Sequence, residues 1–175
     1  MDFSSLCFEK AGIHQAQAIS DLINLTYRGT IGWTTEAAII QGDRTNRQEI
    51  EAAMMSPGGY FFVVNRRSAP AACIYIAAEK DRAYIGFFSV HPTLQGQGFG
   101  SYMLEQAEKF ARDSLHAHTF VLFVISQRPE LIAFYQRRGY RGTGRVEAFP
   151  SYLGVPKITG LTIEYFEKSA LLCCA

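Results

Sequence analysis

The sequence predicts an α/β fold (α+β in some schemes), with a mixed, mostly antiparallel central sheet flanked by helices and one parallel βαβ unit. Three observations carry this prediction. After the turn "SPGG", the apolar runs "YFFVVN", "AACIYIAAE" and "AYIGFFSV" follow one another, rich in β-branched and aromatic residues and separated by "RRSAP" and "KDR", which suit hairpins. Residues 98–114 then repeat apolar side chains at Phe99, Tyr102, Met103, Ala107 and Phe110, one face of a helix. "TFVLFVIS" follows as a near-continuous apolar run, the mark of a strand covered on both faces. Strand 83–90, helix and strand 119–125 form a βαβ unit, whose strands are parallel and whose crossover is right-handed. With 175 residues, 48% apolar and 19% charged, the chain is long enough for one well-buried core, and a single domain over 1–175 is expected.

The remaining elements follow in order. "SSLCFEKA" suits a short opening strand. "IHQAQAISDLINLTY" places Ile13, Ala16, Ile19, Ile23 and Tyr27 at helical spacing, and the two glycines of "RGTIGW" end it. "TTEAAII" and "TNRQEIEAAMM" predict a second, interrupted helical region, each part opened by threonine with an acid or amide a few residues later, as in a capped helix. A later helix over 129–138 has Pro129 at its first position, Glu130 in its first turn, two arginines in its last turn and Gly139 as its stop. "YRGTGRVEAF" and "ITGLTIEYFEKS" complete the sheet. An exposed terminal strand around Tyr165 and Phe166 could pair with a second subunit as a homodimer.

The net charge of +1 gives no general electrostatic reason to bind nucleic acid or an anionic membrane. No stretch approaches the roughly 18 to 20 apolar residues of a membrane span, and "MDFSSLCFEK" lacks the basic start and apolar core of a signal peptide, so a cytoplasmic protein is expected. Cys7, Cys73, Cys173 and Cys174 show neither metal-site spacing nor the density of a disulfide framework, and the last two suit a silent tail. His14, His91, His116 and His118 lack metal-ligand spacing, and no GxSxG motif is present, so no metal is expected and serine-hydrolase chemistry is disfavoured.

The chemistry concentrates in "SVHPTLQGQGFGSYMLEQAEKF", where Gly96, Gly98 and Gly100 lead into a helix. Ligands of open sheets settle outside the carboxyl ends of parallel strands, here near Val90 and Ser126. A helix start offers unpaired N–H groups and the positive end of its dipole, and glycines let a phosphate approach without meeting a Cβ. A pyrophosphate is the natural guest. A Walker loop would need Lys then Ser or Thr, which Phe99 and Ser101 do not supply, and the dinucleotide fingerprint fails because Ser101 stands in place of its third glycine.

Gln95-Gly96-Gln97-Gly98-Phe99-Gly100, with "GFFSV" and "HP" before it and "SYMLEQAEKFAR", the apolar strand and "IAFYQRRGY" after it, resembles the GNAT superfamily of acyl-CoA-dependent N-acyltransferases over roughly residues 71–140. "YRGTIGWTTEAAIIQGDRT" is also similar to a poorly characterised bacterial-type branch. The resemblance implies acetyl-CoA as co-substrate, its pantetheine arm along Phe88, Ser89 and Val90 and its pyrophosphate on the run Gln95, Gly96, Gln97, Gly98, Phe99, Gly100 and Ser101. It implies a backbone N–H near Phe88, exposed by a bulge with which Gly86 is compatible, for the developing oxyanion. Tyr135 is implied as the acid that protonates the leaving thiolate. A phenol of pKa ~10 stays protonated near neutrality while a thiol has a pKa of ~8.5, so position alone can arrange the transfer. The alternative for Tyr135 is simple packing beside Phe134, Leu131 and Ile132.

Many relatives have Asn where this chain has Arg128. Its guanidinium could grip a phosphate of the cofactor, or be a solvated surface charge. The acceptor ammonium must lose a proton, yet no acid lies within "AYIGFFSV"; Glu79, Glu36, Glu147 or a water chain are the candidates. Acceptor specificity is expected from Tyr27, Trp33 and Glu36 with Arg28 and Arg44, an aromatic and charged wall for a small polar acceptor; the plainer alternative is Trp33 anchoring a loop with Glu36 and Arg44 as capping or paired charges. Two functions are carried forward: transfer of acetyl to a primary amine of a small molecule or peptide by direct attack in a ternary complex, or a non-catalytic acyl-CoA-binding regulatory module.

Overall fold

A computed structural model describes residues 6–170. Its centre is a seven-stranded sheet in the order β1 (Glu9–Lys10), β3 (Gly59–Arg66), β4 (Ala69–Glu79), β5 (Arg82–Val90), β6 (Thr119–Ile125), β9 (Thr162–Ser169), β7 (Arg141–Ala148), and a short β2 (Ile40–Gln41) pairs with β8 (Val155–Pro156). Every neighbouring pair is antiparallel except β5 and β6. Helices α1 (Ala16–Arg28), α2 (Arg47–Met55), α3 (Phe99–Leu115) and α4 (Pro129–Gln136) complete it.

The period-2 geometry of a strand sends neighbouring side chains to opposite faces, and here both faces are covered. Phe61, Val63 and Cys73 pack with Ile19 and Ile23 of α1 and Ile50 of α2. Phe62, Val64, Ile74 and Ile76 pack with Met103, Leu104 and Ala107 of α3 on the other side. The hairpin between β3 and β4 turns on Arg67 and Ser68, both at positive φ (49° and 65°), the backbone sense that matches the twist of the flanking strands.

Several expectations are corrected. Ile13 belongs to a 3₁₀ turn before α1 and is half exposed. "TTEAAII" is no helix: the Thr35 hydroxyl lies within hydrogen-bond reach of the carbonyls of Tyr27 (3.0 Å) and Gly29 (2.7 Å), and the segment continues into β2. The side chain that could have capped a helix is tied back to the end of α1 instead. Asn46, not Thr45, caps α2 by accepting from the Glu49 N–H at 3.0 Å, while the buried Thr45 donates to the Glu49 carboxylate. Helix α4 stops at Gln136, leaving Arg137 and Arg138 in the closing turn before Gly139. Most of the opening "SSLCFEKA" run is not strand, and its residues 4 and 5 lie outside the described residues, as do Cys173 and Cys174. Among the described residues no helix is long and apolar enough to cross a membrane.

The expected exposed edge at Tyr165 and Phe166 is also overturned. Strand β9 inserts between β6 and β7, and Phe166 is buried in the core on the α3 side. The sheet's edges are β1 and β7, so the argument for a subunit contact through β9 falls.

Two irregularities position the site. Parallel pairing of β5 with β6 covers Arg82 to Tyr84 and stops at Tyr84 opposite Val121. Between β4 and β5 the register passes from Tyr75–Gly86 to Cys73–Ser89, so Phe87 and Phe88 oppose the single Ile74. This is a β-bulge, and Phe87 takes a φ of 44° to make it.

Candidate active site

At the end of β5 the chain passes through a 3₁₀ turn (Pro92–Leu94) into the glycine loop. Gln95 anchors that loop: its amide donates to the Val90 carbonyl at 2.9 Å and its Oε1 accepts from the Trp33 N–H at 2.5 Å. Gly98, at φ 84°, is the N-cap of α3, and no side chain caps the helix. Its left-handed backbone is where glycine is favoured, and at Gly96 (φ 75°) an added Cβ would meet nothing within 4 Å. The helix N-terminus therefore opens onto bare backbone.

Facing it is a cavity of about 350 Å³ bounded by the loop, the end of β5, α1 and α4. Of the residues singled out from sequence, Phe88, Ser89, Val90, Gln95, Gly96, Gly98, Gly100, Ser101, Arg128, Tyr135, Tyr27 and Trp33 line it. Three residues of the expected set do not. Phe99 is buried in the core beneath the loop, Gln97 folds its amide back to the Thr93 carbonyl at 3.0 Å, and Glu36 lies deeper. Trp33, expected at the acceptor, borders this cavity with its ring 5.9 Å from that of Phe134.

A second, smaller cavity of about 50 Å³ lies where β5 and β6 have parted, lined by Tyr84 to Phe88 and Leu122 to Ile125, with Glu36 and Arg44. Tyr27, Phe88, Arg128, Leu131 and Tyr135 border both cavities. Tyr135 is thus at the junction. It is buried against the rings of Phe134 (5.2 Å) and Tyr140 (5.6 Å), and burial pushes its phenol well above the usual tyrosine value. The Thr26 and Ser89 hydroxyls, 2.9 Å apart, join α1 to β5 beside it.

Arg128 is no solvated charge. It is 6% exposed and donates to the Glu36 carboxylate at 2.9 Å and to the Thr34 hydroxyl at 2.7 Å. Arg28 takes the other oxygen of Glu36, making a buried Arg28–Glu36–Arg128 cluster. Of the three carboxylates considered as a base, Glu79 and Glu147 border neither cavity, and Glu147 is engaged by Arg145 and Tyr165 on β7 and β9.

Sequence reasoning missed Arg138. It borders the large cavity, stacks its guanidinium 3.5 Å from the centre of the Phe134 ring, and donates to the Phe134 carbonyl and the Ser101 hydroxyl. Its Nε is buried without a partner, an orphaned donor beside the start of α3. The available signal is its spacing three residues after Tyr135, although in the sequence it reads simply as one of the two arginines closing the helix. Bare backbone at Gly96 and Gly98, the open helix N-terminus and this spare cation suit a diphosphate.

A family model described as the acetyltransferase (GNAT) family matches residues 17–140. The chain belongs to the acetyltransferase (GNAT) family. As a GNAT enzyme it uses acetyl-CoA as its acetyl donor. Among solved structures, yncA of Salmonella typhimurium, determined with its cofactor acetyl-CoA, is 20% identical, with 98% of each chain covered and a TM-score of 0.70. The ribosomal-protein-S18-alanine N-acetyltransferase of Escherichia coli is 15% identical, with 96% of each chain covered and a TM-score of 0.70. A chimera of the spermidine N-acetyltransferase SpeG of Vibrio cholerae with hSSAT is 14% identical, covering 95% of this chain and 96% of its own, also at 0.70. At these identities the likeness is one of GNAT fold. No curated protein matches.

Proposed function

We propose that this GNAT enzyme transfers acetyl from acetyl-CoA to a primary amine by direct attack in a ternary complex. The observation that carries this is the meeting of two cavities at Phe88 and Tyr135, one walled by the glycine loop and the other opening where β5 leaves β6. A donor and an acceptor entering from opposite sides would meet there, with no need for an acylated residue between them.

Bound acetyl-CoA supplies an activated carbonyl and a thiolate leaving group. Gly96, Gly98 and the first turn of α3 hold its diphosphate, and Arg138 adds a positive charge. The end of β5, from Phe88 to Val90, offers main-chain groups to the pantetheine arm. The bulge leaves Phe88 without a one-to-one partner in the β4 register, and its N–H is the donor assigned to the carbonyl oxygen; a preorganised donor of this kind is worth about 3 kcal/mol of barrier. Tyr135 keeps its proton because burial disfavours the phenolate; it passes that proton to the departing sulfur and regains one from the acetylated amine through water. Both oxygens of the Glu36 carboxylate are occupied by guanidiniums, so the amine proton leaves through water.

A thiol-release assay with acetyl-CoA across amino acids, polyamines, aminoglycosides and peptide N-termini tests the proposal. Release with at least one class of amine is expected. Calorimetric acetyl-CoA binding with no release from any of them would favour the non-catalytic module.

A further inference from the structure

Resting on the acetyltransferase reading above, we propose that the acceptor is a small amino acid whose carboxylate is bound by Arg44. This arginine borders the small cavity, its guanidinium 4.6 Å from the centre of the Phe87 ring and 5.7 Å from that of Tyr27. Among the described residues no carboxylate lies within ion-pair distance of it, not even its exposed neighbour Asp43, whereas Arg28 and Arg128 are both spent on Glu36. Its place is built into the fold. The Asn24 side chain accepts from the Arg44 N–H at 2.7 Å and the Thr45 N–H at 3.2 Å and donates to the Thr45 carbonyl at 2.8 Å, which fixes the backbone from α1.

The charge around the cavity points the same way. Arg44 and Arg128 line the cavity beside the single carboxylate of Glu36, which Arg28 and Arg128 already neutralise, so an acceptor with several ammonium groups is repelled. An amine attacks only when neutral, which leaves an amino acid with one negative charge at the moment of reaction, matched to Arg44, whose guanidinium has no carboxylate partner among the described residues. The bulge at Phe87 and Phe88 also sets the Phe87 ring under Arg44, so the anion site and the donor assigned to the reacting carbonyl are adjacent residues. With about 50 Å³ available, the cavity suits a short acceptor.

The test pairs glycine, alanine and serine each with its own amide, and adds spermidine, in the thiol-release assay. Each amide has the more acidic ammonium and more free amine at neutral pH, so intrinsic reactivity is biased against the proposal. We expect kcat/KM for each amino acid to exceed that for its amide at least tenfold and spermidine to be the poorest acceptor. In Arg44→Gln that ratio falls to within about twofold, chiefly through KM, while the acetyl-CoA Kd stays put; Arg44→Lys keeps part of the preference and guards against misfolding of the first variant. In parallel, the same amino acids are titrated calorimetrically into the protein saturated with CoA. Amino-acid binding lost in Arg44→Gln without any thiol release supports the anion site and removes the transferase mechanism. Turnover of uncharged amines or spermidine with no amino-acid preference overturns the anion site and leaves acetyl transfer standing, and a preference that survives in Arg44→Gln overturns the role of Arg44.

Discussion

Removing one oxygen atom separates the two roles open to Tyr135. Tyr135→Phe keeps the packing against Phe134 and Tyr140 but takes away the proton donor. We expect kcat to fall at least tenfold with the acetyl-CoA Kd nearly unchanged by calorimetry; equal rates would leave the side chain a purely structural part. Because burial raises the Tyr135 pKa above its usual ~10, the acid form persists through that pH. The pH profile of kcat/KM is therefore expected to rise as the acceptor amine deprotonates and to show no descending limb below pH 10. Glu36 makes a different demand. Glu36→Ala leaves the buried guanidiniums of Arg28 and Arg128 without counter-charge, and losing one partner of such a cluster costs about 3–5 kcal/mol. Urea denaturation should show a drop of that order; a loss below about 1 kcal/mol would mean the cluster is not acting as a unit. Arg128 shows why residue roles were hard to read. "SQRPEL" is equally consistent with a phosphate ligand and a surface charge, and only the fold brings Glu36, 92 residues away, to its guanidinium.

At the scale of elements, the start of α3 is the most exacting feature. Gly98→Ala forces a side chain into the left-handed region at φ 84°, at a cost of about 1–2 kcal/mol, and the helix start should shift to relieve it. Acetyl-CoA Kd should rise at least tenfold, measured by calorimetry. Gly100→Ala is the control two residues on. Its Cβ would come 3.4 Å from Phe134, a contact that a few tenths of an ångström relieves, so affinity should change less than threefold. Equal effects at both positions would show that crowding of the cavity, not the backbone angle, governs binding. This loop was legible because its signal is local: glycines, an amphipathic face and a parallel crossover lie within 40 residues of chain. "TTEAAII" was misread for the opposite reason. Its helical capping pattern is real, but Thr35 bonds to the end of α1 and Glu36 is drawn into an ion cluster, and both partners belong to other elements.

For the whole molecule, burial holds protons on groups that an unfolded chain would release. Cys73 is pushed up to about 12, and Tyr27, Tyr84, Tyr135 and Tyr140 are all raised, each chiefly by burial. Unfolded thiols and phenols titrate near ~8.5 and ~10. Below those values both states are protonated and these groups give no slope. Above them the unfolded chain binds fewer protons than the folded one, so stability falls as pH rises, first through Cys73 and more steeply above about pH 10. Thermal midpoints at pH 8, 9.5 and 10.5 should decline in that order, and a flat series would contradict the burial of these side chains.

The sequence by itself determined the strands β3 to β6 and β9, helices α1, α3 and α4, and the glycine loop at the carboxyl end of β5, because periodicity, turn chemistry and helix-start signals act over a few residues. Tertiary structure alone decided that β9 enters the sheet between β6 and β7, that β5 parts from β6 after Tyr84, and that Arg28, Glu36 and Arg128 meet while Arg44 has no carboxylate partner among the described residues. Each of those outcomes depends on which distant segments can pack together without leaving buried charge or backbone unsatisfied, and no short stretch of chain carries that information.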